Sequence, residues 1–121
     1  MTRIENILPA SLGFALFLVF GFLASPVAAD PGKKVYDDHN CNVCHSVDAL
    51  DMKMAGSEED DEKDDVSDLS NIGSKYDRRF LARYLVKQEK IDGKEHPTRF
   101  RGERDELAAL ATWLESLKHG N

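Results

Sequence analysis

The stretch Cys41-Asn42-Val43-Cys44-His45 decides how the rest of the chain is read. It holds both cysteines of the protein, and a histidine follows the second directly. The spacing C-x-x-C-H is the attachment signature of a c-type haem. Two thiols three positions apart reach the two vinyl groups on one edge of a porphyrin and form thioethers with them. The next residue then lies under the ring centre, where an imidazole nitrogen binds iron as proximal ligand. Two other uses of these residue types fit less well. A thioredoxin-like pair sits beside a βαβ pattern, which this sequence lacks. A structural zinc site takes four ligands, typically as two separated pairs. His39, Cys41, Cys44 and His45 are too crowded for that, and no second pair exists. One haem c, held by Cys41 and Cys44 with His45 on the iron, is the expected cofactor.

The chain has 121 residues, enough for a single domain. Its first 29 residues are unlike the others. Arg3 and Glu5 are the only charges there, and Leu12 to Leu23 is unbroken apolar or small sequence. Ser25-Pro26-Val27-Ala28-Ala29 then supplies small side chains before Asp30. This pattern predicts a secretory signal cleaved after Ala29; retained, the segment would be a membrane anchor. Either way residues 30–121 form the exported domain, and the expected location is the periplasm. Losing residues 1–29 removes one charge of each sign, so the net charge stays at −6. A nucleic-acid binder would carry an excess of positive charge, so that class is excluded. The apolar inventory is thin, and a chain this short usually needs a staple. A covalently attached haem supplies one.

Pro31 suits the first turn of a helix over 31–40, with Val35 and Tyr36 turned inward and Asn40 as a breaker before the motif. Residues 48–68 carry ten acids against Lys53 and Lys63, the composition of a solvated, flexible loop. That loop lacks the D-x-[DN]-x-[DN]-G pattern of a defined calcium site. Leu69 to Gly73 is expected to be a tight connector, and Ser74 a cap. From Lys75 to Gln88 the apolar positions Tyr76, Phe80, Leu81, Tyr84 and Leu85 have helix spacing. The last segment is the clearest. Acids at 103, 105 and 106 open it, Leu107, Leu110, Leu114 and Leu117 follow at helical intervals beside Trp113, and Lys118, His119 and Gly120 close it. No run alternates with period two, so no strand is expected.

Residues 30–121 resemble a class I monohaem cytochrome c. Gly32 and Tyr36 reproduce a Gly-x-x-x-aromatic pattern ahead of the haem motif. Asp68-Leu69-Ser70-Asn71-Ile72-Gly73 resembles the family's segment before its middle helix, and Leu110-Ala111-Thr112-Trp113-Leu114 its closing helix. The resemblance implies an all-α, cytochrome c-like fold with three main helices around one covalently attached haem. In it Gly32 permits a close helix crossing, with Tyr36, Leu110 and Trp113 packed about it. Two departures bear on the iron. Val66 and Ser67 stand where the family often has Gly-Pro, whose carbonyl orients the proximal imidazole. The family's distal Met, in a Gly-x-x-Met stretch, has no counterpart, since no Met follows Met54; Gly93-Lys94-Glu95-His96 occupies that place, twelve residues beyond Tyr84.

His96 is therefore the expected distal ligand, with Met52 and Met54 as the alternatives. Of the other histidines, His45 is taken by the motif, His39 lies on the proximal side, and His119 falls at the end of the last helix. The expected function is single-electron transfer through a bis-histidine haem c, with no bond chemistry of its own. Redox proteins steered by charge are the expected partners, and a membrane only if the first segment is retained. Two alternatives share these features: a ligand-binding sensor or peroxidase-like protein with a labile sixth site, and the haem subunit of a larger oxidoreductase.

Overall fold

The computed structural model describes residues 28–55 and 68–119. Residues 1–27, most of the expected signal segment 1–29, and residues 56–67 of the acidic stretch, with Val66 and Ser67, lie outside the described residues, as does Gly120. The described residues form four α-helices: α1 (Pro31–Asp38), α2 (Ile72–Lys75), α3 (Arg78–Leu85) and α4 (Arg104–Ser116). Two short 3-10 turns, Cys41–Val43 and Asp48–Leu50, lie between α1 and α2. There is no strand among them, only isolated bridges such as Ser46 with Asp68 and Val47 with Met52. Three main helices were expected; α1, α3 and α4 are those three, and α2 is a single turn.

Each helix begins and ends for a local reason. Asp30 caps α1 by accepting from the Gly32 amide at 2.8 Å, with Pro31 at the first helical position. Asn40 stops the chain in the left-handed region at φ 55° just before Cys41, a conformation Asn tolerates better than most residues. The stretch read as one helix over 75–88 is shorter and starts later. Tyr76 is extended (φ −139°, ψ 141°), which separates α2 from α3. The cap of α3 is Asp77, which accepts from the Phe80 amide at 2.8 Å; Ser74 instead bonds Asn71 within α2. Lys87 at φ 63° ends the run after Leu85. The close of α4 also comes earlier than the sequence suggests. Leu117 leaves the helix with ψ 91°. Its carbonyl accepts from Gly73 at 2.9 Å and the His119 amide donates to Ser70 at 3.0 Å, so 117–119 run back along the segment before α2.

The core is the crossing of α1 and α4, extended by α3. Val35, Tyr36, Val47, Leu81, Leu110, Ala111, Trp113, Leu114 and Leu117 are buried together. Each buried Val or Leu among them contributes about 1.5–3 kcal/mol. Gly32 sits at the closest point: a Cβ there would lie 2.2 Å from the Trp113 Cβ and 2.3 Å from the Ala109 carbonyl oxygen. The Tyr36 and Trp113 rings meet beside it, with centroids 5.3 Å apart. The expected roles of Gly32, Tyr36, Leu110 and Trp113 are what the structure shows. A second close approach has no forerunner in the sequence reading. A Cβ on Gly73 would lie 1.9 Å from the Glu115 carbonyl oxygen, so α2 also rests directly on the α4 backbone.

Candidate functional site

The C-x-x-C-H stretch follows α1 without a linker. Its first residues form a 3-10 turn in which Cys44 and His45 both donate to the Cys41 carbonyl, at 3.2 and 3.0 Å. The turn brings the two thiols onto one short stretch of backbone, and neither is in a disulfide. Cys41 is half-buried, and burial pushes its thiol pKa up; Cys44 is exposed.

His45 is held through its backbone. The Tyr36 hydroxyl donates to the His45 carbonyl at 2.8 Å, from a ring that is almost wholly buried. Burial raises the phenol pKa above its ordinary value, so the group remains a donor. The segment after His45 is tied down in turn. One Asp68 carboxylate oxygen accepts from the amides of Asp48 and Ser70, at 3.1 and 3.0 Å, and from the Ser70 hydroxyl at 2.6 Å. The Ser70 oxygen accepts from the Ala49 amide at 2.9 Å. Sequence reading treated Tyr36 as a packing residue only. The available clue was its hydroxyl, since a buried tyrosine usually finds a partner for its O–H.

His96 lies on the loop between α3 and α4. A tight turn starts the loop, with Asp92 and Gly93 both at positive φ and reciprocal 2.9 Å bonds between Ile91 and Lys94. The loop ends where the Phe100 amide donates to the Leu85 carbonyl at 2.8 Å. Between these ties, His96 Nδ1 is hydrogen-bonded to the Thr98 carbonyl. A carbonyl only accepts, so Nδ1 carries the proton and Nε2 keeps the lone pair that can bind a metal. The Tyr84 ring stands perpendicular to the imidazole, with centroids 5.4 Å apart and planes at 88°.

The fold brings His45 and His96 together. Their ring centroids are 6.0 Å apart and their planes are inclined by 29°. An imidazole nitrogen binds a metal at about 2 Å, so a centroid separation of roughly 6 Å is compatible with two imidazoles sharing one ion. Of the other candidates, His39, His119 and Met52 have described partners of their own. The His39 ring lies tilted against Phe100, with centroids 4.5 Å apart, and approaches Glu106 at 3.5 Å. His119 lies beyond the end of α4, joined through its amide to Ser70. Met52 pairs with Val47 through its backbone, and its side chain rests against the core. Among the described residues, no group of three or more His, Cys, Asp and Glu could hold a metal ion unaided. Two imidazoles leave four positions of a six-coordinate ion to another donor, which is what a porphyrin provides. The residues present therefore fit a haem: two thiols for its edge, and two imidazoles for its iron.

The family model described as Cytochrome c matches residues 29–118. No curated protein and no solved structure matches the chain.

Proposed function

Because the chain belongs to the cytochrome c family, whose members transfer electrons through a covalently attached haem c, we propose that it is a free single-electron carrier with bis-histidine ligation. Cys41 and Cys44 hold the haem as thioethers, His45 is the proximal ligand and His96 the distal one. The observation that carries this reading is the 6.0 Å separation of the two imidazoles. Bound, the haem supplies a one-electron couple at its iron. The chain supplies rigidity. Tyr36 fixes the His45 backbone from α1, and Thr98 holds His96 in the tautomer whose Nε2 is free of a proton. With both ligands held in place, little has to move when the charge changes. A second imidazole in place of a thioether also lowers the reduction potential relative to a His–Met cytochrome.

Export completes the proposal, with residues 1–29 removed and the domain acting in the periplasm. One measurement tests attachment and processing together. The intact mass of the denatured native protein should equal residues 30–121 plus one haem, and the colour should stay with the polypeptide in acid–acetone. A haem-free mass sinks the attachment by Cys41 and Cys44. A mass that includes residues 1–29 makes the protein an anchored carrier.

Its partners are redox proteins, and we read the segregated charge as the means of steering them. Arg78, Arg79, Arg83, Lys87, Arg99, Arg101 and Arg104 lie in the second half of the sequence, whereas the acids gather at 48–68. Encounter between such charged stretches and a partner of opposite charge is a screened, long-range effect. Stopped-flow reduction by the physiological partner should slow as ionic strength rises from about 0.01 to 0.15 M, where the screening length falls from roughly 30 to 8 Å. A rate independent of salt over that range removes the steering claim.

A further inference from the structure

If His96 binds iron, one freedom of its ring remains: rotation about the bond from Nε2 to the metal. That rotation has electronic consequences. An imidazole donates π density to the iron d orbital that lies perpendicular to its own plane. Two imidazoles with near-parallel planes act on the same d orbital and split it from its partner. Perpendicular planes act on one orbital each and leave the pair nearly degenerate.

Two contacts bear on this rotation, and they come from different elements. The Nδ1 hydrogen bond to Thr98 belongs to the loop. Rotating the ring about an axis through Nε2 swings Nδ1 away from that carbonyl, so the bond resists the turn. Tyr84 opposes the same rotation from a second element, because its ring stands at 88° to the imidazole, 5.4 Å away. Edge-to-face contact between aromatic rings is a preferred geometry, worth about 0.5–1.5 kcal/mol beyond the area it buries. Tyr84 is itself fixed. It sits within α3, and its ring lies near-parallel to Phe80 at 6.4 Å, which in turn stacks on Tyr76 at 4.7 Å. The Phe100 amide ties the far end of the loop to Leu85, the residue after Tyr84, at 2.8 Å. The loop contact and the helix contact are therefore held in register with each other.

We propose that Tyr84 is a positioning residue which, with the Thr98 carbonyl, sets the His96 plane near-parallel to that of His45. The inference rests on His96 being the distal ligand, and takes the 29° between the two planes as the angle in the working protein. The oxidised holoprotein then gives a rhombic low-spin electron paramagnetic resonance signal with three resolved g-values, rather than one strongly low-field feature.

Low-temperature spectra of the wild type, Tyr84→Phe and Tyr84→Leu test this, each beside an optical spectrum. The wild type and Tyr84→Phe, which keeps the ring edge, should give the rhombic signal. Tyr84→Leu should stay six-coordinate and low-spin but move its highest g-value to lower field. A single low-field feature in the wild type, with a bis-imidazole optical spectrum, overturns the parallel setting while leaving His96 as ligand. Identical signals in wild type and Tyr84→Leu overturn the role of Tyr84. A high-spin wild type, or one with a thioether–iron charge-transfer band, overturns this inference together with the ligand assignment beneath it. The wild-type spectrum decides the plane angle even if Tyr84→Leu fails to mature, and Tyr84→Ala then serves as the removal variant.

Discussion

His96→Ala should turn a reduced protein that does not bind carbon monoxide into one that binds it stoichiometrically. Under the proposed bis-histidine ligation, the sixth position is filled by His96, whose ring is held through Thr98, Tyr84 and the turn at Asp92 and Gly93. An alanine offers no donor. His39 cannot substitute without leaving Phe100 and the neighbourhood of Glu106. His119 is engaged through its backbone at the far end of α4. The oxidised variant should lose the six-coordinate low-spin spectrum, and its haem should remain covalently attached, because Cys41 and Cys44 are untouched. Two results count against the assignment. An unchanged low-spin spectrum in His96→Ala removes His96 from the iron. A thioether–iron charge-transfer band in the wild type gives the position to Met52 or Met54. The comparison also separates an electron carrier from a sensor or peroxidase-like protein, since those need the open site in the native chain.

The second large effect lies at the crossing of α1 and α4. Gly32→Ala should destabilise the protein by about 3 kcal/mol, the upper end of what overpacking a close-packed core costs. The added Cβ would meet the Trp113 Cβ at 2.2 Å and the Ala109 carbonyl oxygen at 2.3 Å. Ordinary carbon contacts are about 3.5–4.0 Å. One obstacle is backbone and the other is the root of a buried side chain, so neither can swing aside. The only relief is for α1 to lift from α4, which loosens every contact between them, including that of Tyr36 with Trp113. For a domain of this size the melting temperature should fall by roughly 12–24 °C, read by circular dichroism on the holoprotein. Gly93→Ala is the contrast. Nothing lies within 4 Å of a Cβ there, and only the φ of +76° opposes it, a cost of about 1–2 kcal/mol. A Gly32→Ala protein that melts within a few degrees of wild type would show that the α1–α4 crossing is not the tight point described.

The haem motif and the leucine period of α4 were legible because each is local or repeats at a fixed interval, whereas the Gly32 crossing was an implication of the family resemblance. C-x-x-C-H states its chemistry within five residues. The errors of reading came where distant backbone decides. Ser74 and Asp77 are both good caps by type. Which one starts α3 depends on the extended Tyr76, and neither residue announces it. Leu117 continues the helical period, yet it leaves α4 to give its carbonyl to Gly73. Lys87 takes a left-handed conformation that its residue type gives no reason to expect.

The candidate site divides the same way. His96 was legible as a candidate from its place relative to Tyr84 and Gly93, and from the lack of any later Met. Its tautomer was not, because the partner of Nδ1 is a backbone carbonyl, and every residue has one. The grip of Tyr36 on the His45 carbonyl was not legible either, since the donor and acceptor are nine positions apart. The sequence by itself determined that this chain has an all-α haem c fold and pointed to Cys41 and Cys44 as the attachment pair, because covalent chemistry and helical periodicity are properties of neighbours along the chain. Only the tertiary structure decided that His45 and His96 face each other at 6.0 Å with planes 29° apart. Fifty-one positions separate the two rings, and the angle between them depends on where α3, its aromatic row and the returning loop come to rest against α4.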